Sequence, residues 1–212
     1  MKYYFMLAKL ENLPYFRISH LESFLPHLKK PSLYQKISRW VEKGDIIELK
    51  KGFYVSRTYK ERHGSDKHYL SYLANVLRFP SYVSGVSVLA EHNLLTDLTY
   101  PITSITTKST RAYSNSLGEF VYHSISPKLY VGYKIDSYEE NSIYVASVAK
   151  ALFDYLYIKY GKRKVEAHTI IERERLNLDL LQKQDASEFE KYARLSGNKF
   201  FGEIASKLFL YV

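Results

Sequence analysis

The chain has 212 residues with 31 Lys/Arg against 22 Asp/Glu, a net charge of +9, and an apolar share of 46%. That composition fits one or two globular domains and excludes disordered, collagen-like and coiled-coil chains. With no cysteine, disulfides, thiol catalysis and cysteine–zinc sites are excluded. The charge is uneven: residues 1–60 hold 12 basic and 5 acidic side chains, residues 61–212 hold 19 and 17. A basic module for an anionic partner, joined to a nearly neutral one, follows from that split. The longest apolar runs fall far short of the roughly 20 residues of a spanning helix, and charges interrupt the apolar start too early for a signal sequence. The expectation is a cytoplasmic protein with no membrane partner.

In chain order, Met1–Leu10 predicts a first helix. Ser19-His20-Leu21-Glu22 has the form of a capping box, with Leu21, Phe24, Leu25 and Leu28 as the apolar face behind it. Pro26 should end or kink that helix. A second box, Ser32-Leu33-Tyr34-Gln35, opens a third helix whose Leu33, Ile37, Trp40 and Val41 form one buried stripe. Gly44 supplies a left-handed cap. Ile46–Leu49, a Lys-Lys-Gly turn and Phe53–Val55 then predict a hairpin. Arg57–Lys67, charged and without apolar period, reads as a linker.

Beyond it, Tyr69, Leu70, Leu73, Ala74 and Leu77 keep helical spacing, Pro80 breaks it, and Ser84–Glu91 resumes it up to Asn93. Strand-like runs follow at Ile102–Thr107, Glu119–Ile125, Leu129–Ile135 and Ile143–Ala146. Ala149, Leu152, Phe153, Leu156, Tyr157 and Tyr160 make the strongest helical stripe, and Gly161 stops it. Lys150 and Asp154 sit at i, i+4 and read as a weak pair on its exposed side. Residues 162–212 read as charged and helical; Lys162-Arg163-Lys164 reads as a solvated basic run. The fold class expected is α+β: a helical module with a hairpin over 1–60 and a mixed α/β domain over 66–212.

Helix, helix, capped helix and hairpin is the order of a winged helix–turn–helix. If the third helix buries its apolar stripe, it presents Ser32, Tyr34, Gln35, Lys36 and Arg39, donor types that read base edges and hold phosphates in a major groove. Lys50 and Lys51 would form the wing tip, with Arg57 just beyond. The Pro26–Pro31 connection is longer than a usual helix–turn–helix turn. The same face could instead serve a protein-binding adaptor. The seven histidines have no metal-site spacing, Ser84, Ser87 and His92 lack a nucleophile elbow and fit small-residue packing, and Gly161-Lys162 and Gly64-Ser65 lack the partners of nucleotide sites. His63 and His68 read as solvated, and the 21 tyrosines as mostly packing residues. No catalytic residue, metal or cofactor is expected.

The wing-like EKGDIIELKKGFYV (Glu42–Val55) resembles the end of the winged helix in AbiEi-family antitoxins, the abortive-infection antitoxins of type IV toxin–antitoxin systems. YLANVLRFPSYVSGVSVLAEHNLL (Tyr72–Leu95), ITSITTKSTRAY (Ile102–Tyr113), GEFVYHSI (Gly118–Ile125) and IYVASVAKALFDYLYI (Ile143–Ile158) continue the resemblance, which covers residues about 30–160. Asn93 stands in place of the family's usual Gly, and Val148-Ala149 in place of Pro-Glu. The resemblance implies a transcriptional regulator that binds inverted repeats in its own promoter and represses its operon. It also implies a C-terminal domain that counteracts a co-encoded nucleotidyltransferase-like toxin without a stable complex. Residues 165–212 match nothing in that pattern.

Overall fold

The computed structural model describes residues 8–95, 101–161 and 166–212. Most of the expected first helix and the run Lys162-Arg163-Lys164 lie outside the described residues. The chain is α+β, with two sheets and helices packed on both.

Residues 8–10 form a helical turn. Then come β1 (Phe16–Arg17), α1 (Ile18–Phe24), α2 (Lys30–Glu42), β2 (Ile46–Lys50) and β3 (Phe53–Ser56). The strands make an antiparallel sheet with β3 in the middle, Phe16 opposite Tyr54 and Ile47 opposite Val55. Two residues are too few to show a strand's alternation, so β1 had no signature in the pattern.

Both helices start ahead of the expected boxes. Arg17 is the N-cap of α1, and its backbone N–H donates to His20 Nδ1 at 3.5 Å. Lys29 is the N-cap of α2, and Pro31 falls in the first turn, where its missing N–H leaves no bond unmade. Ser19 and Ser32 therefore lie inside their helices and cap neither. The stops fall as expected: α1 ends before Pro26, and Gly44 follows α2 at φ +69°. There the Gly44 N–H donates to Val41 O (2.9 Å) and the Asp45 N–H to Trp40 O (2.9 Å), closing the last turn.

The expected linker is a helix. Ser56 Oγ accepts from Tyr59 N–H at 3.0 Å and starts α3 (Arg57–His63); Tyr59 is 3% exposed. One aromatic anchor orders a segment whose other side chains are polar or charged. His63, expected in solvent, stacks on Tyr59 at 4.3 Å and bonds the Tyr138 hydroxyl at 3.1 Å.

Asp66 caps α4 (Lys67–Leu77), accepting from His68 and Tyr69 N–H. After β4 (Tyr82–Val83) and α5 (Val86–Glu91), Asn93 takes the left-handed conformation expected of it, at φ +60°. Next come β5 (Ile102–Thr106), β6 (Arg111–Asn115), β7 (Gly118–Ser124), β8 (Tyr133–Tyr138) and β9 (Asn141–Ala146). The mixed sheet runs β6-β7-β5-β4-β9-β8, with parallel pairs β4–β9 and β5–β7. The run expected as a strand at Leu129–Ile135 splits: residues 127–129 form a 3-10 turn and the strand begins at Tyr133. The chain ends in α6 (Val148–Tyr160), α7 (Ala167–Glu174), α8 (Lys183–Ser196) and α9 (Lys199–Leu208). Among the described residues no helix is long and apolar enough to cross a membrane.

Two cores meet at the hairpin. Leu21, Leu33, Ile37, Trp40, Ile46 and Tyr54 belong to the smaller, while Leu49, Val55 and Tyr59 belong to the larger. Adjacent residues of a strand point to opposite faces, so Tyr54 and Val55 each serve a different core. Polar contacts reinforce this joint: Asn115 Nδ2 donates to Leu49 O (3.0 Å) and the Tyr69 hydroxyl to Pro14 O (2.8 Å).

Candidate nucleic-acid interface

The site is built on α2. Leu33, Ile37 and Trp40 are at most 3% exposed, and they fix the helix's rotation. The opposite side then faces solvent. Ser32, Gln35, Ser38 and Arg39 are exposed, and Tyr34 is 50% exposed. Lys36 is half-buried, its ammonium 5.4 Å from the centre of the Trp40 ring. That ring holds the stem down and leaves the charge at the edge of the face. The helix N-terminus lies at the same end as Ser32 and carries a partial positive charge. The expected set Ser32, Tyr34, Gln35, Lys36 and Arg39 is thus gathered on one helix. Lys29 and Lys30, at its first positions and exposed, extend the basic end. A helix start at Ser32, as the capping pattern suggests, passes over them; the pair of lysines ahead of Pro31 is the sequence signal for them.

The residues expected at a wing divide. Lys51 is exposed at the hairpin turn, beside Gly52 at φ +82°. Lys50 turns the other way: its ammonium donates to Leu77 O at the end of α4 and lies 4.0 Å from the Phe53 ring centre. Burial lowers its pKa, and Tyr113 nearby offsets part of the effect. The bulge between Glu48 and Lys50 turns this side chain toward the larger core, so Lys50, expected at the hairpin tip, sits instead at the joint between the two cores. Arg57 is likewise engaged, Nε donating to Gly44 O (2.6 Å) and Nη2 to Lys43 O (2.8 Å). It satisfies the carbonyls at the end of α2 and secures the turn into the hairpin.

The pair Lys150–Asp154 is the largest departure from expectation. Both side chains are 0% exposed, with Nζ to Oδ1 at 2.5 Å. Asp154 Oδ2 accepts from the Tyr82 hydroxyl (3.0 Å) and from Ser84 Oγ (2.7 Å). The ammonium also faces the rings of Phe153 (5.0 Å) and Tyr192 (5.2 Å). Burial pushes the carboxyl up and the ammonium down, and each one's charge opposes the other's shift. With its side chains buried, this network orients α6 against β4. Among the described residues no group of three or more His, Asp or Glu could hold a metal.

Comparison of the sequence with protein-family models and with curated proteins finds no match.

Proposed function

We propose that the chain is a DNA-binding transcriptional autorepressor and antitoxin acting in the cytoplasm, with a winged helix over residues 1–60 as its reading head. The observation that carries this is the order β1–α1–α2–β2–β3, with the sheet and α1 burying one side of α2 and leaving Ser32, Tyr34, Gln35 and Arg39 in solvent. A helix held that way is the element such modules lay in a major groove. Lys29 and Lys30 at its start and Lys51 at the hairpin tip would contact phosphates on either side. Lys50 and Arg57 would act indirectly, fixing the hairpin and the end of α2.

The antitoxin half of the proposal rests on the resemblance to AbiEi-family antitoxins. On that reading residues 66–212 oppose a co-encoded nucleotidyltransferase-like toxin without a stable complex, and the chain performs no catalysis itself. The test is a promoter fusion to the upstream region together with growth on induction of the adjacent toxin gene. Repression lost in Arg39→Ala, with rescue of growth retained, is the expected pattern. Absence of repression by the unaltered chain would overturn the regulator, and absence of rescue would overturn the antitoxin.

A further inference from the structure

Where the hairpin meets the larger domain, a pocket of about 210 Å³ opens between Tyr15, Tyr72, Phe79 and Tyr144, with Arg17 on its wall. Phe79 is 62% exposed, an unusual position for a large ring, and lies 6.5 Å from Tyr144. Tyr15 stacks on Phe53 at 6.0 Å, and Arg17 lies over Phe53 at 4.6 Å. The pocket is therefore walled by aromatic faces with an arginine among them.

Beyond Arg17, further cations gather around residues 77–79, next to Phe79. Lys50 bonds Leu77 O, Lys108 bonds Phe79 O at 2.6 Å, and Arg78 Nη2 bonds Ser109 Oγ at 2.9 Å. These contacts tie the two lysines to the end of α4 and Arg78 to Ser109 but use only part of their donors: a lysine has three and an arginine five. Arg78 Nε is buried with no hydrogen-bond partner among the described residues. Among the described residues none of Arg17, Lys50, Arg78 and Lys108 forms a salt bridge. Arg17, Arg78 and Lys108 are close enough to Lys50 to disfavour its charge. Like charges kept together without a carboxylate favour an anion among them.

We infer that this pocket binds single-stranded nucleic acid, one base stacking on the exposed face of Phe79 and the adjoining phosphate held by Lys108 and Arg78. An exposed aromatic ring beside cations that have no carboxylate partner supplies the two components of such sites, and stacking needs no particular base. The pocket shares no residue with the α2 face, so its occupancy is separable from duplex binding.

The test is fluorescence anisotropy of the full chain with labelled RNA and DNA single strands of about ten nucleotides. Phe79→Ala removes an exposed ring, so folding should be kept, which a thermal melt verifies. It should weaken strand binding about tenfold and leave duplex binding unchanged. Lys108→Ala should lower the salt slope of strand binding by about one. Arg39→Ala should do the reverse of Phe79→Ala, weakening duplex and sparing the single strand. Three results would each overturn the inference: no strand binding at low salt, strand binding that follows Arg39 and ignores Phe79, or displacement of the strand by equimolar mononucleotide, which would assign the pocket to a free nucleotide.

Discussion

Helices α2 and α6 are both 13 residues long and both carry lysine and a polar partner among apolar residues, yet their polar groups have opposite fates. In α2 three large side chains are buried and the rest of the circumference is open. In α6 eight residues are buried, Lys150 and Asp154 among them, because α5, α8 and β9 cover it from several sides. The spacing of charges does not say which case holds; the number of apolar positions around the helix does. Between Val148 and Tyr160 only Lys150, Asp154 and Lys159 are charged, so the helix is apolar nearly all round. A charge on such a helix is an interior charge and must be paired.

The largest expected effect comes from breaking the interior pair. Asp154→Ala leaves the Lys150 ammonium without its counter-charge and the Tyr82 and Ser84 hydroxyls without their acceptor. Urea unfolding should show a loss of about 3–5 kcal/mol. Lys150→Met combined with Asp154→Leu should recover more than half of it, since a well-packed apolar pair also suits the site. A loss under about 1 kcal/mol in Asp154→Ala would return the pair to the class of surface ion pairs.

The exposed helix should behave in the opposite way. Arg39→Ala should cost about 1–3 kcal/mol of duplex affinity and change the unfolding midpoint little. If stability falls and affinity does not, α2 is a packing element and its outer face is idle. The neighbouring lysines sharpen the contrast on a smaller scale. Lys51→Ala should lower the salt slope of duplex binding by about one. Lys50→Ala should leave that slope alone and weaken the joint instead, because its ammonium is held at Leu77 O, away from the α2 face.

The smallest effect tests burial by titration. His123, on β7, is held below its ordinary value of 6.5 by desolvation. The folded state then favours neutral imidazole, and the unfolded chain binds more protons between the folded value and 6.5. Stability should therefore be fully present above 6.5 and decline as pH falls toward the folded value. Unfolding midpoints compared at about pH 8 and about pH 5 should fall less in His123→Gln than in the unaltered chain. Equal declines would place the imidazole in solvent.

What the sequence made legible follows the same division. Periodicity gave α2, α4, α6 and the hairpin because each has one long repeating signal, and Gly44 and Asn93 marked ends that demand positive φ. The solvent-facing side of α2 was legible because Leu33, Ile37 and Trp40 fix the rotation of the helix. The strands β1 and β4 were not, since two residues cannot display alternation. Helix α3 was hidden by its charges, its order resting on Ser56 and Tyr59. Lys50 and Arg57 were placed by sequence position at the wing, whereas a bulge and the carbonyls of residues 43, 44 and 77 decide where they point. The pocket at Phe79 joins β1, α4 and β9, residues far apart in the chain, which no local pattern reveals.

The central claim is that the outer face of α2 reads duplex DNA. It is tested most directly by anisotropy of the full chain on its own upstream sequence and on a scrambled duplex, over a range of salt concentrations, with Arg39→Ala in parallel. The account predicts tight binding to the upstream sequence, weak binding to the scramble, a steep salt slope, and loss of the preference in Arg39→Ala. Equal weak binding to both duplexes, unchanged by Arg39→Ala, would contradict it and leave α2 as a basic surface for a protein partner.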